Sequence, residues 1–142
     1  MRFWDSSALV PVFLAEPTSG WARKVMNRDP GVAVWALTRV ELMSAIERRR
    51  REDPDLSSRF SAARTEVMQT WGIWIEIAII ETVREHAERL VTAHPLRAAD
   101  ALQLGAALVA SAGNPATLQF VTLDQRLGAA AAREGFPVLG PG

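Results

Sequence analysis

The chain contains no cysteine and no tyrosine, two histidines and a single lysine. Without cysteine it has no disulfide, no thiolate zinc site and no cysteine nucleophile. His86 and His94 are too few for a three-histidine zinc centre. No apolar run approaches the ~20 residues needed to span a bilayer. The amino terminus, Met1-Arg2-Phe3-Trp4-Asp5, meets an acid at once, unlike a secretory signal, so the cytoplasm is the expected address and no membrane contact is expected. An excess of basic charge is also missing. Sixteen Lys and Arg balance sixteen Asp and Glu, whereas a protein that coats nucleic acid non-specifically is basic. Any contact with nucleic acid must therefore be local. There is no Gly-rich phosphate loop, no GxGxxG and no nucleophile elbow, which leaves nucleotide cofactors without support. Asp5-Ser6-Ser7 has no second Asp two residues on, which argues against an aspartyl phosphatase of the haloacid-dehalogenase type.

What is present suits a single domain spanning 1–142. Hydrophobic residues make up 49% of the 142, normal for a chain with a real core. Apolar β-branched stretches alternate with helical ones. Phe3-Trp4 reads as a first strand ending at Asp5, followed by a helix that Pro17 breaks and a second from Thr18 or Ser19 to about Asn27. Val32 to Trp35 reads as the second strand. Thr38 with Glu41 matches a capping box opening a helix through Arg51, and a further helix runs from about Leu56 to Thr70. Trp74 to Ile77 reads as the third strand. Thr82 with Glu85 is a second capping-box match, for a helix from Val83 to about Ala93 stopped by His94-Pro95. A nearly uncharged helix follows from Leu96 to Ala112. Phe120 to Thr122 is the fourth strand, Asp124 opens a helix to about Glu134, Gly135 caps it, and Pro137 to Leu139 is a short last strand. This alternation predicts an α/β fold with a mostly parallel central sheet covered by helices on both faces.

In such a sheet the carboxyl ends of the strands share one edge, where ligands collect. Asp5, Glu41, Asp100 and Asp124 all fall at that edge. Taken singly, Glu41 is explicable as a capping-box residue and Asp124 as a helix cap. Asp100 is the more informative, because between Arg97 and Asn114 it is the one charge in an apolar helix. Helix-dipole stabilisation, about 0.3–1 kcal/mol, does not offset removal of a carboxylate from water. Its partner is therefore either Arg97, three residues earlier, or a metal ion. Four neighbouring carboxylates repel unless a cation offsets them, and an all-oxygen ligand set selects Mg²⁺ or Mn²⁺ over zinc or copper. The run Arg48 to Arg51 reads as a solvated helix end. The five tryptophans read as core, His86 as a surface residue and His94 as a loop residue.

Asp5-Ser6-Ser7-Ala8-Leu9, Glu41-Leu42, Leu96-Arg97-Ala98-Ala99-Asp100-Ala101-Leu102-Gln103-Leu104 and Val121-Thr122-Leu123-Asp124-Gln125-Arg126-Leu127 together resemble the PIN-domain ribonucleases, and most closely the VapC toxins of bacterial and archaeal toxin–antitoxin pairs. The resemblance spans almost the whole chain. It implies a Rossmann-like three-layer sandwich and an endoribonuclease in which Asp5, Glu41, Asp100 and Asp124 bind one or two Mg²⁺ or Mn²⁺ ions. It further implies that Ser6 orients a water or phosphate at the metal, with Thr122 in support. A homodimer and a VapB-type antitoxin whose tail blocks the site are implied as well. The alternatives are a PIN nuclease of RNA processing or decay with no antitoxin, and a non-catalytic binding module of the same fold.

Overall fold

The computed structural model describes residues 1–141. Its strands are β1 (Arg2–Trp4), β2 (Val32–Trp35), β3 (Ile75–Ile77), β4 (Gln119–Val121) and β5 (Val138–Leu139), and its helices are α1 (Ser6–Phe13), α2 (Ser19–Arg28), α3 (Thr38–Glu52), α4 (Ser57–Trp71), α5 (Ile80–Ala93), α6 (Ala98–Ala110) and α7 (Gln125–Arg133). Short 3₁₀ turns at Pro54–Leu56 and Pro115–Thr117 punctuate α3–α4 and α6–β4. The strands form one sheet in the order β3-β2-β1-β4-β5, and every pairing is parallel.

Alternation along the strands divides the core in two. Successive side chains leave a strand on opposite faces. Phe3, Ala33, Trp35 and Phe120 therefore pack on one face with α5, α6 and α7. Trp4, Val32, Val34 and Val121 pack on the other with α1, α3 and α4. Strand β1 is central, and Phe3 and Trp4 are both wholly buried, as a parallel strand covered on both sides must be. Phe3 stacks on Phe120 across β1 and β4, with ring centroids 5.5 Å apart. Of the five tryptophans, Trp4, Trp35, Trp71 and Trp74 are buried, and Trp21 packs against the same core. The three layers expected from the sequence are thus present.

The two capping boxes are not. Helix α3 starts with Leu37 at its N-cap and no side-chain cap. The Thr38 hydroxyl instead accepts from the Gln103 side chain at 2.8 Å, so it is not free to cap. Helix α5 starts at Ile80, with Ile79 at the N-cap, three residues before the expected Val83. That start lets Val83, Ala87 and Leu90 face the core in helical register, and apolar periodicity outweighs the local polar signal from Thr82. Smaller shifts of one or two residues occur at other ends, such as α6 beginning at Ala98 rather than Leu96.

Helices α5 and α6 approach closely at Gly105. A Cβ there would sit 2.9 Å from the Val83 carbonyl oxygen and 3.4 Å from the Ala87 nitrogen. Both are backbone atoms and cannot swing aside. Gly105→Ala is therefore expected to destabilise the protein by about 1–3 kcal/mol through overpacking, despite the better helix propensity of alanine. Urea denaturation with an unchanged slope and a lower midpoint is the expected result.

The chain first builds β1, β2 and β3 outward with helices α1 to α4 on one face. It then returns to the other side of β1 with β4 and β5, and α5 to α7 cover the opposite face. The sheet's switch point thus lies between β1 and β4, and a crevice opens there at the carboxyl ends of the strands.

Candidate active site

Asp5 and Asp124 flank that crevice because Asp5 follows directly on β1 and Asp124 comes three residues after the end of β4. Both are helix N-caps: an Asp5 oxygen accepts from the Ala8 backbone N–H, and an Asp124 oxygen from that of Leu127 at 3.0 Å. Glu41 comes from the first turn of α3 and Asp100 from the first turn of α6. All four acids line one open cleft of about 530 Å³, together with Ser6 and Ser7.

Asp5 is 3% exposed, and among the described residues no cation pairs with it. Arg2, the nearest basic residue in sequence, points elsewhere, donating to the Gln119 side chain and the Val25 carbonyl. Burial pushes the Asp5 carboxyl up to about 7, against the pull of hydrogen bonds from Ser7, the Ala8 amide and Thr122; nearby Asp124 raises it further. Glu41 is raised as well, by burial and by Asp100, while Gln103 and Ser6 act in the opposite sense. Asp100 is raised by burial and by Asp124, offset in part by Arg97 and Arg126. Three acids held above their ordinary range for shared reasons describe a pocket short of positive charge. Within the described residues no three side chains converge as a ready-made metal cage. The donor set is nonetheless all carboxylate oxygen on one cleft, which suits a hard divalent cation such as Mg²⁺ or Mn²⁺, an ion that keeps several of its own waters.

The supporting shell differs in part from expectation. Ser7, which the sequence reading passed over in favour of Ser6, is the hub of the cluster. Its hydroxyl lies 2.8 and 3.0 Å from the two Asp5 oxygens and 3.3 Å from the Thr122 hydroxyl, and accepts from the Leu123 N–H at 2.9 Å. Thr122 orients the next acid through the backbone, accepting the Asp124 N–H at 3.0 Å. Gln103 was also missed. Its Nε2 donates to Glu41 at 2.7 Å while holding Thr38. Glu41 is thus tied to α6 rather than engaged in a capping box, and its local structural explanation falls away. A polar residue inside an otherwise apolar helix, at 1% exposure, was the signal that could have found Gln103.

The rival explanation of Asp100 is not realised either. Arg97 exerts a charge effect on it but makes no ion pair with it among the described residues. Half of the arginine run is spoken for: Arg49 pairs with Glu16, and Arg50 with Glu47. Arg48, however, lines the acid cleft. Arg39 lies over the Trp71 ring. His94 lies in the loop between α5 and α6, as expected. It is 8% exposed, and its Nε2 lies 2.6 Å from Glu134 at the far end of α7, away from the acids.

Four carboxylates, of which Asp5 is buried and the others half-buried, thus meet at the switch point of a five-stranded parallel sheet. The PIN domain family matches residues 2–133, and the chain belongs to that family. Two relatives from Mycobacterium tuberculosis, "Ribonuclease VapC45" of strain CDC 1551 / Oshkosh and "Ribonuclease VapC49" of strain ATCC 25618 / H37Rv, are each 28% identical over 125 residues, covering 88% of this chain and 85% of theirs. The fold is shared with a "Toxin-antitoxin complex from Klebsiella pneumoniae" (TM-score 0.69, 17% identity, 98% of this chain and 96% of that one). It is shared too with PAE2754 from Pyrobaculum aerophilum (TM-score 0.66, 19% identity, 98% and 87%). Within the family, the chain is of the VapC type.

Proposed function

We propose that the chain, acting as one domain over 1–142, is a Mg²⁺- or Mn²⁺-dependent endoribonuclease and the toxin of a VapBC-type pair. The observation that carries this reading is the single cleft lined by Asp5, Glu41, Asp100 and Asp124, three of them held above the ordinary carboxylate range. Asp5 and Asp100 are the firmest candidate ligands, with Glu41 and Asp124 completing the set. When bound, the divalent cation offsets the carboxylate charge, polarises a phosphoryl oxygen and makes water nucleophilic at neutral pH.

The chain's own residues do the positioning. Ser7 fixes the Asp5 carboxylate with one hydroxyl that lies within hydrogen-bond reach of both its oxygens, and ties it to the backbone that follows β4. Gln103 fixes Glu41. Thr122 sets the Asp124 backbone. Ser6, beside Glu41 on the cleft, is placed to hold a water or a phosphate oxygen. Single-stranded RNA is the expected substrate, because the splayed bases and flexible backbone of an unpaired strand let one phosphate reach the acids.

The Mycobacterium relatives carry the name ribonuclease and the Klebsiella neighbour is a toxin–antitoxin complex; both support an antitoxin partner for this chain. The resemblance also implies a homodimer working in the cytoplasm. No helix among the described residues is long and apolar enough to cross a membrane. The test is cleavage of unstructured RNA with Mn²⁺ and with EDTA. Wild-type protein is expected to cut only with the metal, and Asp100→Asn to lose on the order of 10²-fold or more. Equal cleavage by the variant would remove the assignment.

A further inference from the structure

Asp100 and Asp124 are shared by two clefts. One is the acid cleft, also lined by Ser44 and Arg48 of α3. The other, about 740 Å³, is lined by Arg97, Ala99, Gln125 and Arg126 at the starts of α6 and α7, helices that cover the sheet face opposite to α3. Arg97 is the residue before α6 and Arg126 the second residue of α7, so two different helices bring a guanidinium to the same wall. Both side chains are exposed. Neither they nor Arg48 make an ion pair or hydrogen bond among the described residues.

Other arginines are engaged. Arg49, Arg50, Arg64 and Arg89 have carboxylate partners, and Arg2 holds Gln119. A phosphate chain approaching four carboxylates is repelled by them, and a chain of zero net charge offers no diffuse attraction to compensate. Cations placed directly on either flank of the acids can supply it, and the planar guanidinium fork matches phosphate oxygens.

We propose that Arg97 and Arg126 form a phosphate-binding wall that holds a backbone phosphate of single-stranded RNA adjoining the one attacked, with Arg48 gripping the strand on the opposite flank. The strand then lies lengthwise across the acids, from the Arg48 side to the Arg97–Arg126 side. This rests on the reading that the cleft receives RNA, but it assigns no step of the chemistry to the arginines. They are positioning residues.

The test is equilibrium binding of a fluorescent oligouridylate to wild-type protein in EDTA across a salt series. Each phosphate contact on a single strand contributes about 0.7 to the slope of log affinity against log salt. Arg97→Gln with Arg126→Gln is expected to lower the slope by about 1.4 and Arg48→Gln by about 0.7, with affinity at low salt falling about tenfold or more. Arg133→Gln, an exposed change at the other end of α7, should do neither. In cleavage assays the double variant should raise KM and leave kcat within about threefold.

An unchanged slope, an equal loss from Arg133→Gln, or no binding by wild type overturns the proposal. So does an unchanged RNA slope with lost binding to polyglutamate, which would give these arginines to an acidic protein partner instead. Metal-dependent cleavage with an arginine-independent slope removes this inference and leaves the nuclease. Arginine-dependent binding without cleavage does the reverse.

Discussion

Asp5→Asn is expected to yield a protein that is more stable than wild type at pH 8 without metal, and inactive. Asp5 is nearly fully buried, and its carboxyl sits at about 7 against an ordinary 3.8. A folded-state pKa above the unfolded one means the native protein binds the proton more tightly. The stability this confers is present in full below about pH 3.8 and is lost as pH rises towards and through 7. At pH 8 the ionised group therefore penalises the metal-free fold by up to about 4 kcal/mol, taking 1.36 kcal/mol per pKa unit.

Asparagine removes the charge and keeps the shape, and its oxygen can still accept from the Ala8 amide. The variant should melt roughly 5–15 °C higher than wild type at pH 8 in EDTA, and the gap should close by pH 4. Cleavage with Mn²⁺ should fall on the order of 10²-fold or more. A destabilised variant at pH 8, or a gap that persists at pH 4, would show that Asp5 is engaged in some other interaction.

The second large effect is on the metal itself. A carboxylate must be deprotonated to ligate, so metal binding competes with protons. With Asp5 at about 7 and Glu41 and Asp100 also raised, Mn²⁺ affinity should climb about tenfold per pH unit between pH 5 and 7 and level off above it. Proton release accompanies binding, so the apparent enthalpy at pH 6 should depend on the buffer's own ionisation heat. Titration calorimetry in two buffers, or the loss of free Mn²⁺ signal in spin resonance, reads this directly. Affinity independent of pH over that range would separate the metal from the buried acid.

Much of the site was legible because strand ends are legible. Asp5 follows the aromatic pair Phe3-Trp4 and Asp124 comes just after Phe120-Val121-Thr122, and a parallel sheet puts such positions on one edge. Asp100 stood out as the lone charge of an apolar helix. What escaped was long-range. Thr38 looked like a helix cap because the local pattern allows it, yet its hydroxyl is taken by Gln103, 65 residues away. Ser6 and Ser7 are adjacent and chemically equal; which one turns toward Asp5 depends on Thr122 and Leu123, which follow the neighbouring strand β4 but lie more than a hundred residues on in sequence. Arg97 at three residues from Asp100 permits an ion pair, and spacing alone could not tell that the pair would stay open.

The pairing of β1 with β4 joins Arg2 to Gln119 and Trp4 to Val121, so the opening residues of the chain find their neighbours only near its far end. Pairings this distant in sequence form late and slowly, because a long loop must close before any contact rewards it. During synthesis Asp5 is made well before Asp124, and neither Ser7 nor Thr122 can take its place until both strands exist. A ribosome-bound fragment ending before β4 carries three of the four acids with no sheet edge to gather all of them. If the cleft cuts RNA as proposed, a fragment ending at Leu118 is expected to show no metal-dependent cleavage in the same assay, because Asp124 and the β4 edge are missing from it.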